Sequence, residues 1–268
     1  MLSKEEMKLS DEFINNGYII RPVLDTNTFE SMTDFIFKTA VERLNVKQIF
    51  SNKVEFFNSI HKFLNVDDLN EFRLYMISSI NEFKNFREFY FKISDRFLEI
   101  LVGNELSMQK KLNLSIQMPN DNSSLLPIHA DTWSGDSPFE IVVWLPLVDC
   151  FKTKTMFILP PDYSQELEKD FFSGSITDSD VLFKKIKNKV IWLKVNYGEV
   201  LIFNQNLPHG NVVNTESETR WSMNCRFKGI FTPYNDKKIG EFFEPITLRA
   251  MSKIGINYKM PNIKKSIG

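Results

Sequence analysis

The chain has 268 residues, 43% of them hydrophobic and 25% charged, with a formal net charge of −1. Such a chain can bury a large core, and it offers no bulk field to draw nucleic acid or an anionic membrane. Its start, "MLSKEEMKLSDEF", is charged where a signal peptide would be apolar, and no run approaches the ~18 apolar residues of a membrane span, so a cytoplasmic protein without a span is expected.

The first hundred residues read as helices. "SKEEMKLSDEFINNG" opens on Ser3 as a candidate N-cap and stops at Gly17. "YIIRPV" is a short strand. "TFESMTDFIFKTAVERL" then sets Phe29, Met32, Phe35, Ile36 and Ala40 at helical spacing. "DDLNEFRLYMISSINEF" and "NFREFYFKISDRFLEILVG" are two further amphipathic helices, the second capped at Gly103. Their aromatic stripes are read as core faces. His61, in "FFNSIHKFLN", is read as satisfied or exposed.

Near residue 110 the period changes to two. "KLNLSIQM" alternates Leu112, Leu114 and Ile116 with Asn113, Ser115 and Gln117. "EIVVWLPLVD", "KTMFILP", "KVIWLKV", "GEVLIFN" and "RWSMNCRFKGIF" follow, separated by turn residues, which is the pattern of a β-sandwich or barrel. Residues 162–189 read as a helical insert. The expected fold is α+β, in one domain: a helical layer over 1–108, a β core over 109–232 and a C-terminal extension over 233–268. The end, "YKMPNIKKSIG", reads as a solvated tail. Cys150 and Cys225 lie far apart in apolar runs, and two buried free thiols are expected.

One stretch carries chemistry. In "LPIHADTWSGDSP" a single alanine separates His129 from Asp131; the stretch is read as a strand, on which alternate residues share a side. An imidazole and a carboxylate so placed suit a metal. The only other histidine in a strand-like setting is His209 in "LPHGN". Two histidines and a carboxylate form the facial triad of non-haem Fe(II) sites, with positions left open. Past His209 comes "RWSMNCRF", where Arg220, Ser222, Asn224 and Arg226 share one face and Trp221, Met223, Cys225 and Phe227 the other. Arginines on an inward face are costly unless a fixed anion meets them, and a guanidinium fork suits a carboxylate. The loop "TWSGDSP", with Gly135 as hinge, is a candidate lid.

At this point the chain resembles the Fe(II)/2-oxoglutarate-dependent oxygenases, and within them the phytanoyl-CoA hydroxylase-like group. The resemblance runs from about 110 to 232 on "IHADTW", "EIVVWLPLVD", "GEVLIFNQNLPHGN" and "RWSMNCRF". It implies a double-stranded β-helix (jelly-roll, cupin-like) core. It implies Fe(II) on His129, Asp131 and His209, with 2-oxoglutarate as co-substrate and dioxygen as oxidant. Arg220 would grip the distal carboxylate, with Trp144, Gln117 and Asn211 beside the co-substrate. The alternative assignment stays open, with Arg226 as the clamp and Arg220 structural. Trp133, Asn224 and Arg226 are the candidate substrate contacts, and no catalytic side chain is expected beyond the metal ligands. Asp131 stands where related halogenases place a small residue, which favours hydroxylation. Where many members carry a glycine-rich "PGSH" segment this chain has "KTKTMFILPPDYSQEL", which leaves the substrate class open. "RFK" followed by "FTPYNDKKIGEFFEP" looks like a bacterial subgroup from surface-carbohydrate and aminoglycoside assembly. The implied activity is hydroxylation of a small polar metabolite, such as a sugar or nucleotide sugar, in carbohydrate or antibiotic biosynthesis. The competing reading is a non-catalytic cupin-like binding module.

Overall fold

The computed structural model describes residues 3–172 and 178–260. Helix α1 (Lys4–Asn16) begins at a capping box, in which the Ser3 hydroxyl accepts from the Glu6 N–H and the Glu6 carboxylate accepts from the Ser3 N–H. It ends at Gly17, with φ 78°. A Cβ at Gly17 would stand 2.1 Å from Leu207 Cδ1, so both the turn and that contact require glycine. After β1 (Tyr18–Pro22) come α2 (Thr26–Leu44), α3 (Lys53–Ser59), a 3-10 turn (Ile60–Lys62) and α4 (Val66–Glu82). The helix expected over 85–103 is two, α5 (Phe86–Lys92) and α6 (Asp95–Leu101). The break lies at Ile93, whose carbonyl accepts from the Leu24 N–H at 3.0 Å instead of from the next helical turn.

The strands of the core are β2 (Leu106–Gln109), β3 (Asn113–Gln117), β4 (Glu140–Pro146), β5 (Phe157–Ile158), β6 (Ile191–Trp192), β7 (Glu199–Asn204), β8 (His209–Gly210), β9 (Arg220–Gly229) and β10 (Phe243–Pro245). They form a seven-stranded sheet in the order β1-β7-β4-β9-β2-β10, with β3 also paired to β9, and a three-stranded sheet β6-β5-β8. Every pairing is antiparallel. Neither sheet closes on itself. The fold is α+β, a jelly-roll core under a helical amino-terminal layer.

The alternation in β9 explains that layering. Trp221 packs against Phe57 of α3 and Phe72 of α4, with ring centroids 5.0 and 6.0 Å away, and Phe227 meets Phe91 of α5. All of these but the partly buried Phe91 are buried, worth roughly 1.5–3 kcal/mol each. One face of β9 is therefore committed to the helices, and its polar face is left for a cavity. β4, flanked by β7 and β9, is buried along its whole length, as its apolar sequence demands.

The insert is helical, with α7 (Pro161–Phe172) and α8 (Ser179–Ile186). Leu167, Leu182 and Ile186 pack with Ile128, Phe157 and Leu159, so it covers the small sheet. The C-terminal extension does more than trail from the core. β10 pairs with β2 to extend the large sheet, and α9 (Ala250–Asn257) follows with no buried residue. Residues 261–268, most of the stretch read as a tail, lie outside the described residues. No described helix is long and apolar enough to cross a membrane.

Candidate metal centre

His129 and His209 face each other as an isolated antiparallel bridge, each donating its N–H to the other's carbonyl, at 2.9 and 2.8 Å. This corrects the expected geometry in one respect. Asp131 is on no strand; it opens a 3-10 turn, Asp131–Ser134, and its N–H donates to the Gln205 carbonyl. Ala130 between them is extended, with φ −116° and ψ 137°. One extended residue is enough for both side chains to converge. A ligand-type atom from each of His129, Asp131 and His209 lies within 4.8 Å of the other two, and His129 Nε2 stands 3.6 Å from Asp131 Oδ1.

The imidazoles are oriented by the backbone. His129 Nδ1 lies 2.8 Å from the Pro127 carbonyl and His209 Nδ1 lies 2.9 Å from that of Leu207. A carbonyl only accepts, so each Nδ1 carries the proton and each Nε2 keeps its lone pair for a metal. Burial, then the nearby His129, pushes the His209 imidazole down to about 4, so it is neutral at pH 7 and ready to ligate. The donor set and tautomers fit a divalent borderline metal.

Asp131 is held from behind. Arg226 Nη2 stands 3.0 Å from Asp131 Oδ1, and Arg226 Nη1 stands 3.2 Å from Asp136 Oδ2. Lys237, from the C-terminal extension, closes on both Asp136 oxygens, at 2.5 and 2.7 Å. Asp136 and Lys237 are not among the site residues expected from the sequence; only their proximity in space makes them part of the site. A second buried set supports the same turn. The Gln205 amide donates to Glu140 and to the Ser137 carbonyl, both at 3.0 Å, and burial raises the Glu140 carboxyl.

The candidate lid is fastened rather than free. The Asp236 N–H donates to the Gly135 carbonyl and the Ser137 hydroxyl to that of Pro233. Gly135 is the left-handed end of the 3-10 turn, where a Cβ would stand 2.2 Å from Asp236 Oδ2.

A cavity of about 240 Å³ opens beside these residues. His129, Asp131 and His209 line it from one side, and Trp144, Arg220, Ser222, Asn224 and Arg226 of the large sheet from the other. Its two arginines differ. Arg226 already holds two carboxylates. Arg220 is 3% exposed and bonds only neutral groups, the Thr155 carbonyl and the Ser115 hydroxyl, each at 3.2 Å. Its Nε has no partner, and among the described residues no carboxylate pairs with it. Burial brings its guanidinium down to about 10.

The remaining candidates divide. Asn211 lines the cavity, but its amide accepts from the Leu126 N–H at 2.7 Å and so fixes the loop before His129. Asn224 lines it and accepts from Asn113 at 2.9 Å. Gln117 does not line it. Gln117 is two rungs beyond Ser115 and opposite Arg220, yet its side chain is fully buried and donates to the Val212 carbonyl. Trp133 is 45% exposed on the 3-10 turn and is also outside the lining. His61 bonds the Thr219 hydroxyl at 2.9 Å, far from the triad in function, and both cysteines are free and buried.

No protein-family model and no curated protein matches the chain. Solved structures do match. The chain is similar to a non-haem monooxygenase, ThoJ, in a nickel complex, with a TM-score of 0.51 and 13% identity over 91% of this chain and 85% of that one. It is similar to HygX from Streptomyces hygroscopicus with nickel and 2-oxoglutarate bound, with a TM-score of 0.50 and 13% identity over 89% and 91%. It is similar to SnoK, a non-haem α-ketoglutarate-dependent carbocyclase from nogalamycin biosynthesis, with a TM-score of 0.50 and 14% identity over 92% and 97%. At such identities the likeness is one of fold.

Proposed function

We propose that the chain is a non-haem Fe(II)- and 2-oxoglutarate-dependent dioxygenase that hydroxylates a small polar metabolite, of the sugar or nucleotide-sugar kind, in carbohydrate or antibiotic biosynthesis. The observation that carries this reading is Arg220. It is a buried cation without a counter-anion among the described residues, in the cavity that also holds the His/Asp/His set. A buried charge left unpaired is costly, and a bound carboxylate removes the cost. The shared fold with proteins described as 2-oxoglutarate-dependent or nickel- and 2-oxoglutarate-bound supports the same reading.

In this reading His129, Asp131 and His209 hold Fe(II), and the Pro127 and Leu207 carbonyls keep both imidazoles in the ligating tautomer. Arg220 receives the distal carboxylate of 2-oxoglutarate, with Ser115 and Ser222 beside it. Trp144, Val142, Met156 and Phe203 wall the cavity and exclude water. Asn211 keeps the 126–129 loop over the site, and Gln117 acts at one remove, through Val212. The bound metal, co-substrate and dioxygen together supply an oxidant strong enough for an unactivated C–H bond. Asn224 and Arg226 face the substrate, and Trp133 stands on the turn outside the cavity.

The test is succinate release from 2-oxoglutarate in air with Fe(II) and ascorbate. Native protein is expected to turn over slowly without its substrate, and Asp131→Ala to be inactive. Native protein that binds a metal and 2-oxoglutarate yet forms no succinate with any of a panel of sugars and nucleotide sugars would favour the binding-module reading.

A further inference from the structure

Charge around Asp131 is balanced in the metal-free chain. Two carboxylates, Asp131 and Asp136, face two cations, Arg226 and Lys237. The neighbouring charges do not alter this. Glu140 interacts with Asp136 and Arg226 but also with Lys228, so counting both adds one charge of each sign, and the carboxylate of Asp236 is turned toward Gly135. The balance cannot survive loading. A divalent ion held by Asp131 takes up that carboxylate's charge. Arg226 and Lys237 are then left to share Asp136, and Lys237 already touches both of its oxygens. The two charges of 2-oxoglutarate are spent on the metal and Arg220, so one positive charge remains uncompensated on the cavity wall.

Arg226 is placed to present it. It lines the cavity, its side chain is 18% exposed, and the Phe242 ring lies 5.8 Å from its guanidinium carbon. The same ring lies 4.9 Å from Lys237 Nζ. Phe242 thus backs both cations.

We infer that Arg226, backed by Lys237, is the specificity-determining anchor for an anionic group of the substrate, a phosphate or carboxylate, and that it becomes available when the metal site is filled. The inference rests on the oxygenase reading. It deepens that reading by selecting anionic metabolites, such as sugar phosphates and nucleotide sugars, over neutral sugars and polycationic aminoglycosides. The anchor is a fork, and a fork matches a tetrahedral or planar oxyanion.

The experiment is calorimetric, on the full chain. Ni(II) and 2-oxoglutarate are titrated in first, and inorganic phosphate or acetate is then titrated into the loaded protein and into metal-free protein carrying Arg220→Met, in which the co-substrate receptor cannot itself take the anion. Phosphate, acetate or both should bind the loaded protein about tenfold or more tightly than the metal-free one, and whichever binds names the group. Arg226→Gln should weaken that binding about ten- to a hundredfold, the worth of a charge-assisted hydrogen bond. Arg226→Lys should recover part of it, and Lys237→Gln should lose less. Circular dichroism shows whether each variant is folded; if Arg226→Gln is not, the Lys pair decides. Equal binding with and without metal, no binding of either anion, or no effect of Arg226→Gln and Lys237→Gln would each overturn the inference while leaving the oxygenase reading intact. Failure of Ni(II) and 2-oxoglutarate to bind at all would overturn both.

Discussion

Replacing Arg220 with methionine separates a structural arginine from a receptor. Methionine keeps much of the apolar stem and removes the charge. In the unliganded chain that charge is a burden, since burial brings the guanidinium well below its ordinary value, to about 10. At 1.36 kcal/mol per unit, that corresponds to about 3 kcal/mol. Against it stand two hydrogen bonds, to Thr155 and Ser115, worth about 1 kcal/mol each. Arg220→Met should therefore leave the unliganded fold within about 1 kcal/mol of native, or slightly more stable, a Tm change of about 2–4 °C. A structural arginine at 3% exposure would behave differently, since breaking a buried pair costs about 3–5 kcal/mol. The ligand side moves the other way. Native protein in Ni(II) and saturating 2-oxoglutarate, at about a hundred times Kd, should gain about 2.7 kcal/mol. The variant should lose most of that gain, because a lost two-pronged charge-assisted contact lowers affinity by about two to four decades. Scanning calorimetry with and without 2-oxoglutarate reads both effects. A variant that loses several kcal/mol unliganded yet keeps the full ligand-dependent rise would refute the reasoning and return the clamp to Arg226.

Other consequences are simpler to check. A Cβ at Gly210 would stand 2.8 Å from the Leu126 carbonyl oxygen and 3.2 Å from Ile128 Cα, both backbone. Gly210→Ala should push the 126–129 loop and His129 outward, costing about 1–3 kcal/mol of stability and about tenfold in Ni(II) affinity; unchanged Ni(II) binding would show that the loop gives without moving His129. Burial pushes the Cys150 thiol up to about 12 and raises that of Cys225 as well. At pH 8 a disulfide reagent should modify neither thiol in native protein and both after denaturation, and a fast-reacting native thiol would contradict the packing around β9.

Features that depend on one segment were legible in the sequence. The α1 cap, the alternation of β9 and the His129–Ala130–Asp131 spacing each involve a few neighbouring residues, and each has one physical solution. Asp131 shows how far that reaches. Convergence with His129 required only that Ala130 be extended, so the wrong expectation of a continuous strand did no harm. Features that depend on two distant segments were not legible. β2 and β10 are each too short to carry a period, and they exist because each satisfies the other's backbone. The two helices over 85–103 separate because a carbonyl is claimed by Leu24, some seventy residues earlier.

The same distinction divides the arginines. In sequence Arg220 and Arg226 lie on one face of one strand, and only the spacing of Arg220 from His209 in the family resemblance favours one over the other. What separates them is whether a carboxylate reaches them, and Asp136 and Lys237 come from segments on either side of β9 in the chain. Arg226 meets two carboxylates, whereas Arg220 meets only a carbonyl and a hydroxyl, with no carboxylate among the described residues. A buried cation without a counter-charge is costly, and under the proposed oxygenase reading the bound co-substrate removes that cost. The sequence pattern could place both arginines near the triad, but only the contacts around each give a physical reason to prefer Arg220 as the proposed clamp.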